Sequence, residues 1–238
     1  MKHLNPHAAR AAHSHDAMRF ANRRSAGIRL GEAVAKLGLK PPVLVLGLPR
    51  GGVPVAYEVA QAIAAPLDVM VVRKVGMPGQ SELAIGAIAA AGVVVHEPNA
   101  VPLLATLHPS FPELAVAARN ELRRREALYR RGLPPLDLTG RNVVLVDDGI
   151  ATGSTLLAAI RAARRLGAAS VIAAAPVAAP ESLALIESEA DQVVVLETPP
   201  ILFAIGEWYD RFEQLEDIEV CVLLARAARH HPFSPPRA

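Results

Sequence analysis

Two adjacent carboxylates, Asp147 and Asp148, follow the apolar run Val143–Val146 and precede Gly149-Ile150-Ala151-Thr152-Gly153-Ser154-Thr155. The apolar run reads as a buried strand, and the small-residue loop opens directly into a helix. Backbone N–H groups at a helix start face outward without partners and favour an anion. Thr152, Ser154 and Thr155 add hydroxyl donors, and Gly153 lets the backbone come close. Together they make a cradle for a monophosphate. Carboxylates only accept hydrogen bonds at neutral pH, so Asp147 and Asp148 suit a sugar diol and complement a nearby hydrated Mg2+. Taken alone, such a pair also serves as Mg2+ ligands in phosphoryl-transfer proteins, or forms a solvated turn. The triphosphatase signature G-x-x-x-x-G-K-[ST] is absent, and no G-x-G-x-x-G follows a strand.

Other residues point to the same kind of chemistry less specifically. Pro49-Arg50-Gly51-Gly52 breaks an apolar run, and a Gly-Gly pair is the default tight turn. Arg50, however, carries a planar fork of donors suited to phosphate. Lys74 follows a second buried strand at the start of the Gly- and Pro-containing stretch Lys74–Gln80. Glu82 braces that stretch or touches ligand. The aromatics of Phe203–Phe212, Trp208 among them, either stack on a planar ligand or pin the last helix. Arg119, Arg123, Arg124, Arg125, Arg130 and Arg131 crowd one helix with Glu121 and Glu126. That pattern reads as a solvated face with pairs three and four apart, or as a nucleic-acid face.

The elements that position these groups alternate. A helix with Leu30, Val34 and Leu37 on one side precedes strand Val43–Leu48; helix Val53–Ala64 and strand Leu67–Val72 follow. Ala84–Ala89 and Val93–His96 read as a hairpin, and Pro112–Arg131 as a long helix. Strand Asn142–Val146, helix Ser154–Leu166, strand Ser170–Ala175, helix Pro180–Ala190 and strand Val193–Leu196 come next, with a closing helix at Glu219–Arg229. The expected fold is α/β, a mostly parallel doubly wound sheet with a small hood. In such sheets ligands bind beyond the carboxyl ends of the strands, after Leu48, Val72, Val146 and Leu196. Residues 1–17 carry His3, His7, His13 and His15 without apolar periodicity. They read as a flexible extension or a metal-binding tract, and 18–238 as one domain.

The string Val143–Thr155 closely resembles the phosphoribosyl pyrophosphate (PRPP) motif of type I phosphoribosyltransferases. The resemblance implies that Asp147 and Asp148 are catalytic, contacting the ribose hydroxyls and, indirectly, the cofactor Mg2+. It implies that Ala151, Thr152, Gly153, Ser154 and Thr155 hold the 5-phosphate. Gly149 departs from the family's bulky apolar residue. Arg50, Gly51 and Gly52 resemble the pyrophosphate loop, and Lys74 lies where a mobile loop covers the family's active site and serves as a further pyrophosphate contact. Phe203 and Trp208 resemble the acceptor hood, built from the N-terminal and 197–215 segments. Oxopurine enzymes place a base-contacting Lys near this hood, where this chain has Glu197-Thr198-Pro199-Pro200. The implied activity transfers 5-phosphoribose from PRPP to a nitrogen nucleophile, a nucleobase, releasing pyrophosphate. The alternative is a non-catalytic PRPP or nucleotide sensor on the same fold.

Composition limits the remaining classes. Apolar residues are 52% of the 238, ample for a core covered on both faces, whereas aromatics are 4%, so Ala, Val and Leu must build it. A net charge of +2 is too weak to imply nucleic acid, which is not the expected partner. PRPP, a small-molecule acceptor and a second copy in a homodimer are. The single cysteine, Cys221, excludes an intramolecular disulfide and reads as a buried thiol. No apolar run approaches the ~20 residues of a membrane span, and no signal core is evident, so a cytoplasmic protein is expected.

Overall fold

The computed structural model describes residues 19–77, 80–96, 100 and 110–231, with only the backbone of 80–83. The expected 1–17 extension, Pro78 and Gly79 lie outside these residues, and the side chain of Glu82 is not described. In chain order the elements are α1 (Arg23–Ala35), β1 (Val43–Gly47), α2 (Gly52–Ala62), β2 (Leu67–Val69), β3 (Val72–Met77), β4 (Gln80–Ala89) and β5 (Val94–His96). They continue with α3 (Phe111–Tyr129), β6 (Asn142–Val146), α4 (Ser154–Arg165), β7 (Ser170–Val177), α5 (Pro180–Glu187), β8 (Gln192–Glu197) and α6 (Asp217–His230). Five strands form a parallel sheet in the order β2-β1-β6-β7-β8. The expected α/β architecture is thus present.

Strand alternation decides which face each side chain covers. Leu44, Leu46, Val143 and Leu145 pack beneath α4 with Leu156, Leu157 and Ile160. Val45, Val144 and Val146 pack on the opposite face with Leu30 and Val34 of α1 and Val55 and Val59 of α2. Glycine brings α1 and α2 unusually close. A Cβ at Gly27 would lie 2.9 Å from the Val55 carbonyl oxygen, and one at Gly31 only 2.7 Å from Ala62 Cβ. Leu37, expected on the buried face of α1, lies beyond the helix end and is 36% exposed.

Strands β3, β4 and β5 make a separate antiparallel sheet. The β4–β5 hairpin lies where expected, with Ala87 opposite Val95. Two expectations fail here. The apolar stretch after α2 is two strands, because β2 ends at Val69 and the chain re-pairs from Val72 with β4. Lys74–Met77, expected as loop, continues β3. Its glycine is absorbed by register shifts on either side of Gly76, a local irregularity that glycine tolerates in a strand. Cys221 is partly exposed on α6 rather than buried. Among the described residues no helix is long and apolar enough to cross a membrane.

Candidate active site

The site begins where β1 and β6 end side by side, with Gly47 paired to Val146. Leu48 N–H donates to the Val146 carbonyl at 2.9 Å, and the Gly52 N–H returns to the Leu48 carbonyl at 3.0 Å. The chain turns sharply there through a cis Pro49–Arg50 peptide. A Cβ on Gly51 would lie 1.9 Å from Asp148 Oδ2, and one on Gly52 2.5 Å from the Val146 carbonyl oxygen and 2.9 Å from Asp147 Cα. The glycines are therefore required by the approach of the two loops, beyond the needs of a turn.

Beyond the carboxylates, Gly153 takes φ +76 and caps α4 without any side-chain hydrogen bond, leaving the first N–H groups of the helix without a side-chain partner. Thr152 Oγ1 and Ser154 Oγ are 3.0 Å apart and satisfy one another; Thr152 is exposed and Ser154 buried. Ile150 ties the loop to the end of β7, donating to the Val177 carbonyl at 2.8 Å and accepting from Ala179 N–H at 2.9 Å. The Ser182 hydroxyl donates to the Ala151 carbonyl. The resulting cavity, about 100 Å3, is lined by Lys74, Asp147, Asp148, Thr152, Gly153 and Thr155 among others.

The carboxylates are held against their preference for charge. Burial, and then the negative charge of Asp148, push the Asp147 carboxyl well above its ordinary range; Lys74 opposes this. Burial also raises Asp148, against the hydrogen bond and charge of Arg23. Asp148 N–H donates to Asp147 Oδ1 at 2.9 Å. Among the described residues no group of three or more His, Cys, Asp or Glu could cage a metal. Two crowded acceptors beside an anion cradle fit sugar hydroxyls, and would meet a hydrated Mg2+ only through the waters it carries.

A second cavity of about 310 Å3 lies across Asp148, lined by Arg23, Arg50, Gly51, Asp148, Phe212 and residues 213–215. The expected pyrophosphate contacts therefore divide. Arg50 and Gly51 face this cavity, whereas Lys74, carried on the antiparallel sheet, faces the phosphate cavity. Arg50 has one distant acid, Asp217 at 3.9 Å, and that carboxylate already receives the Tyr129 hydroxyl at 2.5 Å and Arg124 at 3.1 Å.

Sequence reasoning missed three residues here. Arg23 Nε donates to Asp148 Oδ2 at 2.8 Å, and its Nη1 to the Glu213 carbonyl at 2.8 Å. Phe212 lies under the Arg23 guanidinium at 3.7 Å and stacks on Tyr209, with ring centroids 5.0 Å apart. Tyr209 in turn donates its hydroxyl to the Asp148 carbonyl at 2.6 Å. Tyr209 and Phe212 fall within the flagged aromatic stretch without being singled out there, and nothing local distinguishes Arg23 from Arg24 beside it.

The expected hood residues divide as well. Trp208 is 5% exposed and packs with Phe20, Val177 and Tyr209, and it lines neither cavity. Phe203 is 83% exposed and also lines neither. Ile205, not singled out in the sequence, lines the phosphate cavity instead. Phe20 pairs with Tyr209 in an isolated parallel bridge, joining the N-terminal segment to the one after β8. The arginine-rich helix is largely occupied internally. Arg124 and Arg125 pair with Glu121, Arg130 with Asp68, and Arg119 reaches the Pro112 carbonyl.

Residues 13–210 match the family model of the phosphoribosyl transferase domain. A Mycobacterium tuberculosis protein provisionally named a phosphoribosyl transferase, Rv0571c, is 46% identical over 213 residues, which cover 88% of this chain and 47% of that protein. The chain thus spans about half the length of that relative. The crystal structure of TT1426 from Thermus thermophilus is 42% identical and superposes with a TM-score of 0.74 over 88% of this chain and 99% of that one. A uracil phosphoribosyltransferase of Streptomyces coelicolor is 42% identical over 71 residues, 30% of this chain and 33% of its own length. With most of its length matched by the family model, and its carboxylates set between a glycine turn and an anion cradle, the chain belongs to the phosphoribosyl transferase domain family.

Proposed function

We propose that this protein transfers 5-phosphoribose from PRPP to a nitrogen nucleophile, a nucleobase, with release of pyrophosphate. The observation that carries the reading is the position of Asp147 and Asp148 between the Gly51–Gly52 turn and the open start of α4. In this reading Ala151–Thr155 hold the 5-phosphate through backbone N–H groups and the Thr152, Ser154 and Thr155 hydroxyls. Asp147 and Asp148 accept hydrogen bonds from the ribose diol, and so fix the sugar ring between the two cavities.

Arg50, Gly51 and Gly52 hold the pyrophosphate from one side, and Lys74 reaches it from the other. Mg2+, when bound, supplies further charge neutralisation to pyrophosphate. The C1–O bond breaks with its electron pair leaving on pyrophosphate, giving C1 oxocarbenium character. Arg50 and Lys74 stabilise the charge that develops on the leaving group. The nucleophile's nitrogen lone pair forms the new C1–N bond, and the nitrogen proton is lost to solvent. Segments 19–22 and 197–215, joined at Phe20 and Tyr209, serve as the hood, with Ile205 and the exposed Phe203 nearest the acceptor. A second copy of the chain would cover Ile218 and Val222, four residues apart and exposed on α6; light scattering reads that assembly.

The test is a panel of nucleobases and amines incubated with PRPP and Mg2+, with pyrophosphate release as readout. Acceptor-dependent release is expected, and it is expected to vanish when both Asp147 and Asp148 become Asn. Tight PRPP binding with no release for any acceptor would instead favour the sensor.

A further inference from the structure

Arg23 opens α1, and nothing about its place on the helix favours a cation. Together with Arg24 it sits in the first turn, where the helix dipole opposes positive charge, and that turn contains no acid. The two arginines then part. Arg24 is 77% exposed beside Glu58, an ordinary surface pair. Arg23 is 12% exposed and lies against an equally covered Asp148. Its backbone is fixed by the Asn22 cap, in which Asn22 Oδ1 accepts from Ser25 N–H at 2.9 Å, and by the close packing of α1 on α2.

From there the contacts close into a ring. The Asp148 carboxylate receives Arg23; Arg23 lies over Phe212; Phe212 stacks on Tyr209; and Tyr209 donates to the carbonyl of Asp148 itself. Asp148 is gripped at both its side chain and its main chain by one stack of three side chains. Arg23 Nε holds Oδ2 alone, so a sugar hydroxyl is left Oδ1.

We propose that Arg23 is the positioning residue of Asp148, fixing Oδ2 so that Oδ1 meets the sugar hydroxyl. The inference rests on the phosphoribosyl reading of the site. The charged and titratable groups around Asp148 are Arg23 from α1, Asp147 in the same loop, Tyr209 and Glu213 from the segment after β8, Arg50 beside Gly51, and, towards Asp147, Lys74 from β3. Of these cations it is Arg23 that bonds to the Asp148 carboxylate, so its loss leaves Oδ2 without a cation to hold it in place.

The experiment compares wild type, Arg23→Gln and Arg23→Lys by calorimetric titration at pH 8. The probes are Mg2+–PRPP, pyrophosphate and inorganic phosphate. Arg23→Gln should weaken Mg2+–PRPP roughly tenfold or more, as for one charged hydrogen bond. Arg23→Lys should recover much of the loss, while both simple anions bind every variant within about twofold.

Arg23→Lys that binds Mg2+–PRPP no better than Arg23→Gln would overturn the proposal in favour of a purely structural role. An equal loss for pyrophosphate would overturn it too, making Arg23 a direct ligand contact. Wild type that fails to bind Mg2+–PRPP would remove the phosphoribosyl reading itself, whatever the variants do.

Discussion

Gly149 and Ile205 occupy one another's space: a Cβ on Gly149 would lie 2.6 Å from Ile205 Cγ2 and 2.9 Å from its Cγ1. The family resemblance leads to a bulky apolar residue at position 149, and here an isoleucine from the segment after β8 fills that volume from the other side. Gly149→Val should therefore displace Ile205 and cost ~1–3 kcal/mol of stability through overpacking. Ile205→Ala in the same chain should recover most of that cost. A double-mutant cycle by chemical denaturation measures the coupling; additive effects would show that the two positions do not share the space.

Gly51 makes a sharper prediction, because the atom it would strike belongs to Asp148. Gly51→Ala must move either the turn or the carboxylate, and the oxygen it would strike is the one Arg23 holds. Affinity for Mg2+–PRPP should fall on the order of a hundredfold, ~2.8 kcal/mol. Inorganic phosphate, held by the α4 start alone, should bind as before. Comparable losses for both ligands would point to general unfolding of the loop.

The raised Asp147 and Asp148 carboxyls tie stability to pH. In the folded ligand-free chain both titrate above their unfolded values, so the folded form binds more protons in that window. Stability is then highest at the acidic end and falls as pH rises through the raised values. Asp147→Asn should flatten that slope and raise stability at pH 8 by ~0.5–2 kcal/mol, while PRPP binding is lost. Melting curves from pH 8 down to pH 4 read both effects. A slope identical to wild type would mean that Asp147 is not the group responsible.

The N-terminal boundary is open to a simple truncation test. Phe20 is 2% exposed, donates its N–H to the Trp208 carbonyl at 2.8 Å and accepts from Asp210 N–H at 2.9 Å. A chain starting at Met18 should melt with the full-length protein. One starting at Ala21 loses a buried aromatic, worth ~3–5 kcal/mol, and should melt roughly 6 °C or more lower. Equal melting of all three would show that the Phe20 pairing contributes nothing.

The strand-to-helix loop of the site was legible because its parts are local: strand, carboxylates, small-residue loop and helix start are contiguous in Val143–Thr155. The Gly51–Gly52 pair was legible as a turn, but its reason lies in a strand end almost a hundred residues away. Arg23 was not legible at all. It lies 125 residues from Asp148 and looks the same as Arg24 in sequence, and only the packing of α1 separates their fates. Trp208 stayed open in sequence because an aromatic near a ligand-binding edge can either stack or pack, and its burial beside Phe20 shows only once the N-terminal segment is in place. Lys74–Met77 was mistaken for loop because glycine and proline mark turns, whereas here a bulged strand absorbs the glycine.

The neighbouring of β1 and β6 also sets when the site can exist. Everything from α2 to α3 must be synthesised before the strand that carries Asp147 emerges, and the stack that steadies Asp148 waits for Tyr209 and Phe212, later still. A nascent chain therefore exposes the glycine turn long before its counterpart, with no competent pocket in the interval. Pairings of such sequence separation form slowly relative to local ones. Ligand can stabilise only the completed fold, by ~2.7 kcal/mol when its free concentration is a hundred times Kd. Added during refolding, it should slow unfolding rather than speed the early steps of assembly.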